Sequence, residues 1–262
     1  MMQMEADRMR NLLLTDEDIE TERSVILEER AQRTDSSAGA LFTEQMRASL
    51  YLAHPYRIPI IGWRREVETL DRVYYEDPRV SDPYVIRSYL APERDPGDQR
   101  MAAALTLLSN ILGGSGQTSL MPRILQVEEE RALYTSASYG GTNLDDTVFS
   151  IFNVPVPGVT LEEAEADMDR VIAQFLEEGV DPEQFERIKF QWAADQIFMQ
   201  DDVGQLARSY GAALTSGLTV ADVQAWPDII ASITEEEVMD AARLIFEETH
   251  SVTGYLTAPE DQ

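Results

Sequence analysis

Thr147-Val148-Phe149-Ser150-Ile151-Phe152-Asn153-Val154-Pro155-Val156-Pro157-Gly158-Val159-Thr160-Leu161-Glu162-Glu163 sets a strand directly before a helix start. Val148, Ile151, Phe152 and Val154 form a strand-like run, and Pro155 and Pro157 bound it. Thr160 and Glu163 make a capping pattern. The threonine oxygen can accept a first-turn backbone N–H, and the glutamate can reach back to the threonine's own N–H. The helix opened there ends at Gly179, a residue free to turn the chain left-handed.

Outward from this stretch the same alternation recurs without regularity. On the C-terminal side, Asp181-Pro182-Glu183 starts another helix, with proline in its first turn. Residues 203–216, 219–231 and 234–248 read as further helices, and Ser251 to Thr257 as a closing strand. On the N-terminal side, Tyr134 to Tyr139 is strand-like and residues 118–130 are helical. Gly113-Gly114-Ser115-Gly116 is a turn, preceded by an apolar helix from Gln99 to Leu112 with Leu105, Leu108 and Leu112 on one side. Pro92 to Asp98 is a polar loop, and Val80 to Leu90, broken by Asp82-Pro83, is a strand. Strands and helices mix without strict alternation, so the expected class is α+β, not a parallel βαβ series. No solenoid repeat is visible.

The first 73 residues have a helical texture. Thr15 followed by Asp16, Glu17 and Asp18 places a cap and then acids at the positive end of a helix that can run to Arg33. Asp35-Ser36-Ser37 breaks it, and a second helix covers Ala40 to Leu52. His54-Pro55-Tyr56 ends that one, because a residue before proline avoids helical geometry. Arg57 to Trp63 is an irregular apolar loop, and Glu66 to Val73 reads as a short helix.

Composition narrows the chemistry. There are no cysteines in the 262 residues, which excludes disulfides, thiolate metal sites and cysteine nucleophiles. Net charge is −27, from 48 acidic against 21 basic residues, and Lys189 is the one lysine. Such a field repels nucleic acid and anionic lipid. It fits an acidic, arginine-using proteome, or selection for basic peptide substrates. No apolar run is long enough to span a bilayer. The polar, acidic opening Met1 to Arg8 is not a secretory signal.

Few motifs carry chemistry. The glycine turn at 113–116 lacks a following Lys-Ser/Thr, so it is not a phosphate loop. No Gly-x-Ser-x-Gly elbow is present. His54 reads as a turn residue, and His250 opens the last strand. Within Glu22-Arg23-Ser24-Val25-Ile26-Leu27-Glu28-Glu29-Arg30, two helical turns bring Glu22 and Glu29 nearly into register on one face. Val25 and Ile26 lie close by. A metal-ligand helix needs that pattern, one acid binding and the other supporting. On spacing alone, a solvated charged helix is the simpler reading.

The combined motif goes further. Met4 to Met9, then Glu22-Arg23-x-x-Ile26-x-x-Glu29, followed about 25 residues later by His54-Pro55-Tyr56 and then Pro59-Ile60-Ile61-Gly62, resembles the pitrilysin/insulinase family of zinc metallopeptidases, in its bacterial processing-peptidase-like branch. The resemblance implies Glu29 as the third zinc ligand and Glu22 as its support. Leu108 to Thr118, Arg123 to Tyr139 and the helices before Tyr255 resemble the family's second, non-catalytic domain. It therefore implies two units: a helical remnant of the zinc-ligand domain at 1–73, and a non-catalytic peptidase-like domain at 74–258 with an antiparallel-leaning sheet covered by helices.

The sequence departs from the family in three places. The inverted zinc motif His-x-x-Glu-His should lie several dozen residues before Glu22, yet 21 residues precede it and none is histidine. A strand–helix unit expected after Leu70 is missing. The arginine and tyrosine that hold substrate in catalytic members fall, in the best register, on Gln126 and Leu133; Arg131 and Tyr134 are near but wrongly spaced, so neither role transfers. A catalytic zinc needs three protein ligands and an open water position, so no catalytic residue is assigned. The expectation is a truncated or spliced chain, or one completed by another. It would be a member of a zinc metalloendopeptidase family that does not cleave alone, with Zn2+ unbound. The alternative is a non-catalytic peptide-binding subunit that pairs, as a homo- or hetero-dimer, with a related peptidase. The resemblance leaves the compartment open between bacterial periplasm and cytoplasm.

Overall fold

The computed structural model describes residues 28–51, 72–114, 116–199, 201–246 and 251–259. Five strands form one sheet: β1 (Arg72–Glu76), β2 (Tyr84–Ala91), β3 (Ala132–Tyr139), β4 (Thr147–Pro155) and β5 (Ser251–Thr257). Their order is β1-β5-β2-β4-β3. β1 runs parallel to β5, while β5–β2, β2–β4 and β4–β3 are antiparallel. The helices are α1 (Ala38–Leu50), α2 (Arg100–Ser109), α3 (Leu161–Glu178), α4 (Pro182–Met199), α5 (Val203–Thr215), α6 (Val220–Ser232) and α7 (Glu235–Ile245). The class is the expected α+β, with an antiparallel-leaning sheet covered by helices.

The two faces of the sheet differ. Successive strand residues point to opposite faces, and in β4 buried and half-buried positions alternate along the strand. Phe149 and Ile151 face the main core with Leu105, Leu107, Leu108 and Leu112, Met168 and Phe175 of α3, and Val238 and Ile245 of α7. Burying each such side chain stabilises by about 1.5–3 kcal/mol. Thr160, Thr219 and Thr234 each close a capping box, and Gly179 ends α3 at φ 83°.

A buried ion network fixes α3 across two strands. Arg87 of β2 donates to Glu165 and Asp169 of α3 and to Thr253 Oγ1 of β5 at 2.9 Å. Tyr255 of β5 donates to Glu165 from the other side. Burial works against the Arg87 charge, but its hydrogen bond with Asp169 helps to raise its pKa above the usual arginine value.

α1 covers part of the opposite face. Ser37 caps it, accepting from Ala40 N–H at 3.3 Å. Phe42, Met46 and Leu50 pack on Val73, Val252 and Leu256 as a second apolar cluster. Gly254 permits this approach: a Cβ there would lie 2.2 Å from Phe42 Cζ and 2.3 Å from Met46 Sδ.

Three local expectations are corrected. The helix anticipated to stop at Leu112 continues as a π-helical turn, Asn110–Gly114, because its backbone lies against β3. A Cβ on Gly113 would meet Ala137 N at 2.3 Å, so this glycine serves packing, not a turn. The helix anticipated over 118–130 is a 3₁₀ turn, Gly116–Thr118, followed by a π-helical segment, Pro122–Glu128. Arg72 and Val73, read as the end of a helix, belong to β1, since pairing with Thr253 and Gly254 outweighs local propensity.

Two outcomes follow from this packing. Gly254→Ala forces Phe42 and Met46 off the sheet and destabilises by about 1–3 kcal/mol in urea unfolding. The second concerns pH. Arg100 binds Glu237 through two contacts, 2.6 and 2.8 Å, and this bond, with the Thr234 cap, holds the Glu237 pKa down to about 2. A depressed carboxylate stabilises the fold above its unfolded pKa of about 4.3, and that stabilisation is lost as pH falls towards about 2. Thermal midpoints of wild type and Glu237→Gln therefore differ at pH 7 and converge on acidification through this window.

Candidate functional site

Among the described residues, α1 leaves a strip of its sheet face open over β3 and most of β4. Cross-strand pairs Tyr134↔Val154, Ser136↔Phe152 and Ser138↔Ser150 put six side chains on that strip. A run of aromatic contacts leads to it from beneath α1. Phe42 meets Tyr84 edge-on at 5.5 Å, Tyr84 meets Phe152 at 4.5 Å, and Phe152 meets Tyr134 at 5.9 Å. Tyr134 ends the run 53% exposed. Such contacts add ~0.5–1.5 kcal/mol beyond area burial and hold the rings in a defined array. The Ser88 and Ser150 hydroxyls, 3.0 Å apart, lie on the same face.

At the end of the sheet the strip runs into a groove of about 880 Å³. Leu133, Val154, Pro155, Val156 and Pro157 line one side, and Tyr74 stacked on Tyr255 at 4.6 Å lines the other. Its ionisable acids are Glu76, Asp82 and Glu162, and among the described residues no arginine or lysine lines it. A concavity lined about equally by polar and apolar surface, with the exposed Tyr74 ring and acids, suits an extended chain with apolar and basic side chains.

The two positions in register for substrate contacts part company. Leu133 is 54% exposed and lines the groove. Gln126 turns to the helix side, where it donates to Thr135 Oγ1 at 2.8 Å. Arg131 is occupied by Asp167 at 2.6 Å, which helps to raise its pKa.

Glu29 lies in the turn of helix before the π-helical turn Ala31–Asp35. It pairs with Arg33 at 3.1 Å and its side chain is 44% exposed. Neighbouring Arg30 is buried instead, held by Glu44 at 3.0 Å and Asp35 at 3.3 Å. Glu22, His54 and His250 lie outside the described residues. Among the described residues, the cluster of three possible metal donors is Glu93, Asp145 and Asp146, which does not include Glu29. Zinc catalysis needs three ligands around one ion. The described donors do not fit that group.

Composition could not reveal the strip or the groove. Phe152 and Tyr134 are visible as strand residues, but their shared face depends on the β3–β4 register, and β3 carries an irregularity between Ala132 and Tyr134.

Residues 53–192 match the family model of the peptidase M16 inactive domain. No curated protein matches the sequence. The fold is similar to that of a protease from Helicobacter pylori, with TM-score 0.80 and 17% identity over 95% of this chain and 73% of that one. It is similar to a peptidase M16 inactive domain from Pseudomonas fluorescens, with TM-score 0.70 and 13% identity over 95% and 72% of the two chains. A chain of complex III2 from Candida albicans also matches, with TM-score 0.71 and 9% identity over 92% and 72%. At these identities the likeness establishes the fold. Among the described residues, no helix is long and apolar enough to cross a membrane.

Proposed function

The chain belongs to the family of the peptidase M16 inactive domain, and we propose that it is a non-catalytic, peptide-binding half of a peptidase chamber, paired with a related catalytic subunit. The observation that carries this reading is the open strip over β3 and β4 together with the groove it meets at the sheet end, where Tyr74 and Tyr255 project from the helix-covered face. The chain's composition supports it, because two histidines almost two hundred residues apart cannot form the inverted zinc motif. In this reading residues 74–258 form the binding domain and residues 1–73 derive from a zinc-ligand domain. Apolar side chains of the peptide rest on Leu133, Val154 and the tyrosine pair, and basic ones meet Glu76, Asp82 and Glu162.

A second reading rests on the motif around Glu29. If a partner chain brings the two histidines and a general base, Glu29 would supply the third ligand and Glu22 its support. Zinc, when bound at such a site, supplies an activated water. This chain's part is then one carboxylate, released from Arg33, and the groove that positions the peptide.

The test is binding and zinc content of the chain alone. A fluorescein-labelled unstructured peptide should bind saturably, and Leu133→Asp should weaken it roughly tenfold by removing apolar contact. Stoichiometric zinc with chelator-sensitive cleavage by the isolated chain overturns the non-catalytic reading. Cleavage that appears only on co-expression with a histidine-motif partner, and is lost in Glu29→Gln, establishes the shared site.

A further inference from the structure

Three arginines are buried among the described residues: Arg30, Arg87 and Arg94. Arg30 and Arg87 are each in contact with two carboxylates. Arg94, in the loop between β2 and α2, is 8% exposed and has no ion pair. Its Nε donates to Gln99 Oε1, and its Nη2 donates to the backbone oxygen of Asp222 at 2.8 Å. Its flat face lies 3.9 Å from the Trp226 ring centroid. The Asp222 carboxylate, the acid whose charge reaches it, is occupied by Gly97 N–H and by Thr219. Nη1 has no acceptor and is not among the sealed, unsatisfied atoms, so it keeps access to solvent.

Arg94 lines a cavity of about 530 Å³ at the β3–β4 hairpin, together with Trp226, Ser138, Tyr139 and Asn143. Tyr139 is committed to the Pro92 oxygen and Asn143 to Gly140 and Thr147. The Ser138 hydroxyl is uncommitted and its residue is exposed. Burying a cation without a paired anion is costly. Burial lowers the Arg94 pKa to about 10, so its charge is under-compensated in the free protein. Among the described residues, this buried guanidinium lacks a direct carboxylate contact, with Asp222 acting on it only from a distance, and it opens on a cavity.

We infer that this cavity is a binding site for a single carboxylate attached to a small apolar body. One oxygen takes Arg94 Nη1, the second lies within the wall carrying Ser138, and the apolar body rests on Trp226. The surrounding charge restricts the ligand. Glu93 and Asp95 flank Arg94 and act on Tyr139, and Glu93 groups with Asp145 and Asp146. A dianion such as phosphate meets those acids, whereas a monoanion is neutralised by Arg94. The carboxylate can come from a peptide C-terminus or from a small organic acid. The site shares Ser138 and Ser150 with the strip but no residue with the groove at Tyr74, and it stands whether or not that groove binds peptide.

The test uses the full chain and Trp226 fluorescence. N-acetyl-Ala-Ala and propionate are titrated beside the C-terminal amide of the dipeptide and inorganic phosphate. A saturable change is expected with the free acids, and binding of the amide is expected to be about tenfold weaker, the scale of one charge-assisted hydrogen bond. Tighter binding of the dipeptide identifies a peptide terminus, and tighter binding of propionate a small acid. Arg94→Gln should abolish the response. Because Arg94 also pins its loop, Ser138→Ala serves as a second variant, keeping the wild-type circular dichroism and weakening binding several-fold. Equal binding of acid and amide, a response that survives in Trp226→Phe, phosphate binding better than propionate, or wild-type affinity in both site variants each overturns the assignment.

Discussion

Arg87 and the two α3 carboxylates that meet it determine how the sheet is covered. One guanidinium on β2 reaches Glu165 and Asp169, four residues apart on α3, and Tyr255 on β5 closes on Glu165 from the side. Arg87 and Glu165 are both buried. Removing one member of a buried pair leaves the other as an unsatisfied charge, at a cost of ~3–5 kcal/mol. Helix α3 is thus held in one position across two strands, and the helices beside it pack in register with it. The Met168, Val171 and Phe175 face then meets Phe149 and Ile151 without slippage.

Because helices occupy most of that face, binding surfaces fall on the other face and at the sheet ends, where Tyr74 is exposed. α1 seals the β5 and β2 part of the second face through Phe42 and Met46 over Gly254. It reaches the start of β4 at Val148 and leaves the rest of β4 and β3 uncovered among the described residues. Among the described residues α1 is the helix on that face, and beyond it Tyr134 is exposed while Phe152 and Val154 are half-buried. The exposed aromatic rings follow from the geometry of covering, and no local sequence signal announces them.

The same division governs the charges. Among the described residues, most arginines are satisfied by nearby carboxylates, as Arg79 is by Asp77, whose pKa that contact holds down to about 2. Such surface pairs contribute little to stability. Arg94 differs because its loop is drawn under α6, where Trp226 and the Asp222 backbone oxygen occupy the positions an acid would take.

Much was determined by the sequence itself. The β4–α3 junction, the Thr160 cap, the Gly179 stop and the closing strand from Ser251 to Thr257 appear where local patterns place them, because capping and strand runs are short-range physics. The shortage of histidine is equally a property of composition. The tertiary structure alone decided the role of Gly113 as a packing contact, the strand identity of Arg72 and Val73, the meeting of Tyr134 with Phe152, and the isolation of Arg94. Each depends on partners far away in the chain, such as Gly254 under Phe42 or Asp222 beside Arg94, and pairwise register over such separations is set by packing the whole sheet, not by any neighbouring residue.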